Sequence, residues 1–214
     1  MEKQVKLIWA TPNGEQLIAD MARVSAPENQ GNDGGKLIGY LVKNQHWSPF
    51  EMVNAVVEIE TTRDIARQLL RHRSFSFQEF SQRYATVDKL PPAPLREARL
   101  QDHKNRQNSL DTADGYVTES WAQLQEELVA HAADVYQRAL GMGIAKEVAR
   151  AVLPEGLTTS RMYMNGTLRS WMHFILLRSG NGTQKETREL VEQIKGLLEP
   201  LFPVSFVALT NNEA

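Results

Sequence analysis

The strongest constraint on the fold lies in residues 52–60. Val53, Ala55, Val57 and Ile59 fall on one side of a two-residue period, and Asn54, Val56, Glu58 and Glu60 on the other. That is the pattern of a half-buried strand. Thr61 or Thr62 follows at once and suits the N-cap of a helix over about residues 63–73, with Ile65 and Leu69 on its core side. The strand runs directly into this helix and anchors its start.

The remaining pattern is mostly helical. Residues 15–24 carry Leu17, Ile18, Met21 and Ala22 on one face, residues 26–35 are a loop by their turn chemistry, and 36–44 are helical again. Pro49 keeps 44–51 irregular. Residues 88–115, Pro-rich and then polar, read as an exposed excursion with one short helix. The clearest helix spans 117–140, with Trp121, Leu124, Leu128, Ala132 and Val135 in a 3.6-residue period and Gly141 and Gly143 ending it. Another runs over about 144–153 to Pro154, and residues 167–179 turn Leu168, Trp171 and Ile175 inward. Thr183 with Glu186 predicts a capping box for a last helix whose inner face holds Leu190, Ile194, Leu197 and Leu198, and Val204–Leu209 reads as a closing strand. The expected class is α+β: one helix-rich domain over 1–214 with a small central sheet.

Composition narrows the function. With 42% apolar and 23% charged residues the chain is an ordinary globular one, without an apolar run of the ~18 residues a membrane span needs. Met1–Lys6 leads into no apolar core of a targeting segment, so a cytoplasmic protein is expected. There is no cysteine, which excludes disulfides, thiolate metal sites and cysteine nucleophiles; no metal is expected. The net charge of −2 hides an uneven distribution, because residues 61–106 hold ten basic and five acidic side chains. Such a focus suits a small anionic ligand as well as it suits a solvated face, whereas a nucleic-acid binder is usually basic overall.

Arg71-His72-Arg73 sits in that basic segment. At a helix end it is either a solvated cluster favoured by the macrodipole or, with Gln68 on the same face, a donor-rich surface for phosphates and planar carbonyl heterocycles. From Ser74 to Tyr84, aromatic residues (Phe75, Phe77, Phe80, Tyr84) interleave with polar ones. Either a plain strand or a loop wrapped round a flat polar ligand has that pattern.

The triplet, followed after seven residues by Ser81, with Glu79 two before it and Arg83-Tyr84 after, resembles the signature of flavin-dependent thymidylate synthases. Ala22-Arg23-Val24-Ser25, His46-Trp47-Ser48-Pro49-Phe50-Glu51, Ala149–Pro154 and Arg169–Phe174 with Arg178 resemble four further motifs of that family, in order, over about residues 20–190. The resemblance implies reductive methylation of dUMP to dTMP, with methylenetetrahydrofolate as carbon donor and FAD reduced by NADPH as hydride source, in a homotetramer with shared active sites and without nucleic-acid or membrane partners. It assigns Arg178 the catalytic role of polarising the uracil ring. Gln68, Arg71, Glu79, Phe80, Ser81, Gln82, Arg83, Arg150 and Arg178 resemble the dUMP-binding set. His46, Ser48, Arg71, His72, Arg73, Glu79, Thr167, Arg169 and His173 resemble the FAD contacts. Without a cysteine, activation of the pyrimidine must be electrostatic.

Arg169 and His173 share a helix face, and Arg178 lies ~180° round from Arg169. One straight helix would therefore serve two different sites. Gln78, Thr167 and Ser48 depart from the family pattern but keep hydrogen-bonding capacity. FAD is not expected in a dinucleotide fold, because no Gly-x-Gly-x-x-Gly is present. A nucleotide- or nucleic-acid-binding helical domain and a flavin reductase of another class are the competing readings.

Overall fold

The computed structural model describes residues 4–211; Met1–Lys3, where the N-terminal targeting reading begins, and residues 212–214 lie outside the described residues. In chain order the main elements are β1 (Val5–Ala10), α1 (Gly14–Ala22), α2 (Gly35–Lys43), β2 (Asn54–Thr62), α3 (Arg63–Leu69), β3 (Ser76–Glu79), β4 (Arg99–Gln101), β5 (Ser109–Asp111), α4 (Gly115–Gly141), α5 (Lys146–Ala149), β6 (Thr159–Thr167), α6 (Leu168–Ser179), α7 (Lys185–Leu198) and α8 (Pro203–Asn211). The class is mixed α/β, helix-rich with small sheets, as expected. Among the described residues no helix is long and apolar enough to cross a membrane.

The main sheet is antiparallel in the order β1-β2-β6-β3. The alternation that predicted β2 is observed: Ala55, Val57 and Ile59 are buried. They pair across the ladder with Gly166, Met164 and Met162 of β6. This face carries the core, into which α1, α2, α6, α7 and α8 send Ile18, Val42, Trp171, Ile194 and Phe206. Trp171 is fully buried, and its indole N–H donates to the carbonyl of Ala55 at 3.1 Å, so the core anchor of α6 also satisfies its polar handle.

The pattern missed two strands of the main sheet. β1 is an edge strand with a bulge between Leu7 and Trp9. β6 has no β-branched interior residue, and its core side is a serine, two methionines and a glycine. Val204–Leu209 forms helix α8, not a closing strand: Ser205, Phe206 and Leu209 turn inward at helical spacing against α2. The helix expected over 144–153 is a single turn, α5, followed by a 3-10 turn at Arg150–Val152. Residues 88–115 hold a 3-10 turn at Val87–Lys89 and the β4–β5 ribbon, with no α-helix before α4. Pro91, Pro92 and Pro94 exclude helix there, and buried Leu90 and Ala98 show that the excursion is partly packed.

The helix expected over 117–140 is present as α4, but of its periodic apolar residues Ala132 is the buried one. Gln125, Ala132 and Tyr136 are the buried residues, while Trp121, Leu124 and Leu128 are 41%, 58% and 49% exposed. The helix rests on the body along the 125–132–136 line, so the adjoining apolar line faces out.

Candidate active site

Two strand–helix junctions position the residues singled out by sequence. β2 and β6 are antiparallel, with Thr62 opposite Thr159 and Asn54 opposite Thr167, so α3 and α6 leave opposite ends of the sheet. Thr167 caps α6 by accepting the Ser170 N–H at 3.2 Å, and its hydroxyl donates to Glu51 Oε2 at 3.0 Å. Arg169 donates to the other oxygen of Glu51 at 2.5 Å. One turn on, the His173 ring meets Trp47 edge-on at 4.8 Å. His46 stands edge-on to Tyr40 at 5.9 Å, and Ser48 is exposed.

α3 ends at Leu69, short of the predicted residue 73. The Arg71-His72-Arg73 triplet therefore lies in turns, and Gln68, Arg71 and His72 do not share a helix face. The reason is Phe75, which the chain must leave the helix to bury. Its ring packs on Trp171 at 4.7 Å and lies so close to Gly166 that a Cβ there would come within 2.4 Å of it. His72 joins the same cluster, edge-on to Phe174 at 4.9 Å.

On its polar side His72 meets Arg178, whose Nε donates to His72 Nε2 at 2.9 Å. The acceptor nitrogen must be unprotonated, which places the imidazole proton on Nδ1. Burial, reinforced by the charge of Arg178, holds the His72 pKa below 6.5. His173 is also pushed down, by burial and then by Arg169, against a smaller opposing effect of Glu51. Both rings are therefore neutral at neutral pH.

The Ser74–Tyr84 segment begins as strand β3 and ends in a turn. Glu79 accepts from the Ser160 hydroxyl at 2.6 Å and lies 3.7 Å from Arg63. The Phe80 N–H donates to the Arg161 carbonyl at 2.8 Å, and the Ser81 carbonyl accepts from the Tyr84 and Ala85 N–H groups. Gln82 is 3% exposed, and its amide nitrogen lacks a partner among the described residues. Arg83 pairs with Glu147 at 3.0 Å on the surface. Arg71 and Arg73 are exposed and Arg150 is half-buried, and none of the three pairs with a carboxylate among the described residues.

The structure thus brings His72 to Arg178, and Thr167 and Arg169 together on Glu51. It does not gather the whole predicted set into one pocket. Five of the chain's cavities measure about 310 to about 660 Å³, and none of these is lined by His72, Arg71, Arg169, His173 or Arg178.

A family model described as thymidylate synthase complementing protein matches residues 6–204. A probable flavin-dependent thymidylate synthase of Paramecium bursaria Chlorella virus 1 is 50% identical over 88% of this chain and 87% of its own. The chain belongs to the flavin-dependent thymidylate synthase family. It is therefore an enzyme of the methyltransferase class. A flavin-dependent thymidylate synthase of Synechocystis is 45% identical over 91% of this chain and 89% of its own. Among solved structures, a UMP/dUMP methylase from Streptomyces cacaoi bound with 5-Br dUMP superposes with a TM-score of 0.84 at 29% identity, covering 97% of this chain and 94% of that one.

Within this family member, the sequence reading missed the neighbours that hold the motif residues. Glu51 ties Thr167 to Arg169. Gln68 is held by two residues of the α7 start, donating to Gln184 at 2.8 Å and accepting from Thr187 at 3.0 Å. The expected capping box is absent: Gln184 is the N-cap residue and makes no side-chain cap. The Glu186 carboxylate is taken instead by Arg99 at 2.6 Å and by the Gln184 amide at 2.9 Å. Apart from Gln184 and Glu186, which are two residues apart, these partners lie 87 to 119 residues from the groups they hold, beyond any spacing rule.

Proposed function

We propose that this chain methylates dUMP to dTMP, taking the one-carbon unit from methylenetetrahydrofolate. The observation that carries the reading is the Arg178–His72 hydrogen bond, which joins the last family motif to the Arg-His-Arg motif across the chain. FAD, reduced by NADPH, would supply the hydride that takes the transferred carbon to a methyl group. The donor set suits that group: Arg71 and Arg73 offer two guanidinium forks free of carboxylates among the described residues for a diphosphate, and exposed Ser48 offers a hydroxyl.

Arg178 commits its Nε–H to His72 and keeps the four N–H bonds of its terminal fork for the substrate. A fixed cation there polarises a uracil carbonyl and stabilises charge that develops on the ring. Neutral His72 orients the guanidinium without repelling it. The chain has no cysteine, so this electrostatic activation replaces thiolate attack. Arg83 and Arg150 serve the phosphate; Ser81, without an adjacent base, orients the substrate and is not a nucleophile.

The active unit we infer is a homotetramer. The outward apolar line of α4 supports assembly, since solvated Trp121, Leu124 and Leu128 gain by burial. Arg178 faces His72 while Arg169 and His173 engage Glu51 and Trp47, so α6 offers its two groups to different active sites. Mixed tetramers of Arg178→Ala and His173→Ala chains, each impaired alone, should then be more active than either variant by itself; no gain counts against shared sites.

The direct test is a product assay on the FAD-loaded protein with methylenetetrahydrofolate, NADPH and either dUMP or UMP. Formation of dTMP is expected. Oxidation of NADPH without methylation of either nucleotide would contradict the reading and favour a reductase. A colourless preparation with steeply salt-dependent nucleic-acid binding would favour a nucleic-acid domain.

A further inference from the structure

Gln68 ends a continuous hydrogen-bonded chain that begins outside the proposed site. Arg99 donates to Glu186 Oε1 at 2.6 Å, and Arg96 lies 3.5 Å from the same oxygen. The other Glu186 oxygen accepts from Gln184 Nε2 at 2.9 Å. Gln184 Oε1 accepts from Gln68 Nε2 at 2.8 Å, and Gln68 Oε1 accepts from the Thr187 hydroxyl at 3.0 Å. Thr187 is fully buried.

The direction of this chain is forced. An ionised carboxylate only accepts, so the Gln184 atom facing Glu186 must be its NH₂. Gln184 then presents its carbonyl to Gln68, Gln68 must answer with its own NH₂, and its carbonyl must face Thr187. A neutral amide at position 186 could donate or accept, and both glutamines could then turn over. Burial disfavours charge on Glu186, but its own backbone N–H and the Arg99 contact outweigh burial and hold the carboxyl below the usual carboxylate range.

We propose that Glu186 and Gln184 are positioning residues that fix which edge of the Gln68 amide faces the pyrimidine of dUMP. The inference rests on the reading above, in which Gln68 belongs to the dUMP site. With the chain in place, Gln68 retains one N–H and one carbonyl lone pair at set positions. Reversal exchanges them, so a donor meets a donor, or a carbonyl meets a carbonyl, on the uracil edge.

The test is dUMP titration by calorimetry on FAD-loaded enzyme, with steady-state KM and kcat beside it. Gln68→Met should weaken dUMP binding by about tenfold, the loss of one oriented hydrogen bond. Gln184→Met keeps the Arg99–Glu186 pair and should weaken binding by about three- to tenfold, raising KM more than it lowers kcat. The double variant should bind no more weakly than Gln68→Met alone, because Gln184 acts only through Gln68. If Gln184→Met does not fold, Glu186→Gln is read in the same way, since it keeps volume and removes only the charge that sets the direction. Parental affinity in the position-184 or position-186 variant, or additive losses in the double variant, would overturn the positioning role. Parental affinity in Gln68→Met would overturn the placement of Gln68 itself.

Discussion

Two groups of arginines behave differently in this protein. Arg96 and Arg99 are enclosed by carboxylates: Arg96 contacts Asp64 at 2.8 Å, and Arg99 contacts Glu186 at 2.6 Å and Glu97 at 3.5 Å. They tie the β4–β5 ribbon to the starts of α3 and α7. Arg71, Arg73, Arg150 and Arg178, all in family motifs, have no carboxylate partner among the described residues, and Arg178 spends one donor on a neutral imidazole. A compensated cation holds structure, whereas an uncompensated one keeps its field and donors for an anion or a polarisable carbonyl. Arg106 and Arg188 also lack a carboxylate partner there. What distinguishes the motif set is that Arg71 and Arg73 flank His72 in the chain and Arg178 is hydrogen-bonded to it.

The largest effect that could break this contrast is on rate. Arg178→Ala should lose a charge-assisted contact of ~1.5–3 kcal/mol, a roughly ten- to hundredfold fall in kcat for dTMP formation. Next comes a stability effect on the other group. Arg99→Ala leaves the half-buried Glu186 short of its main partner and should cost about 1–3 kcal/mol, lowering the melting temperature by about 2–4 °C per kcal/mol.

A smaller effect should follow pH. The folded-state pKa of His72 lies below its ordinary 6.5 because of burial and Arg178. The unfolded chain therefore takes up a proton first as pH falls. The contribution of neutral His72 is present above about pH 6.5 and is lost as pH drops through the folded value. Melting curves at stepwise lower pH should show this loss in the parent and not in His72→Gln; an unchanged difference between the two would contradict it. The smallest effect is at Arg83. Its partner Glu147 is on the surface, with side chains 69% and 52% exposed, so Glu147→Ala should change stability by no more than about 1 kcal/mol in denaturant melts. A larger loss would place Arg83 among the structural arginines.

The same contrast explains what could be read from sequence. β2, the body of α6 and the α7 core face were legible because their apolar residues recur at the period of one element. β6 was not, since its core side is Ser160, Met162, Met164 and a glycine that makes room for Phe75. Residues 63–73 follow a helical pattern, but burial of Phe75 ended α3 at Leu69. α4 misled because its period was real while its apolar line faces out of the single chain. The motifs single out the proposed site residues, yet Glu51, Gln184, Glu186 and Thr187, which hold several of them, are set by tertiary contacts that no local pattern encodes.

The central claim is that Arg178, which has no carboxylate partner among the described residues, performs the chemistry, while Arg96 and Arg99, enclosed by carboxylates, hold the fold. The most direct test measures kcat at saturating dUMP and melting temperature for Arg178→Ala and Arg99→Ala in FAD-loaded enzyme. The account predicts a crossed result: Arg178→Ala loses rate and keeps its melting temperature, while Arg99→Ala melts lower and keeps its kcat. Near-parental turnover in Arg178→Ala, or a fall in its melting temperature as large as that of Arg99→Ala, would contradict it.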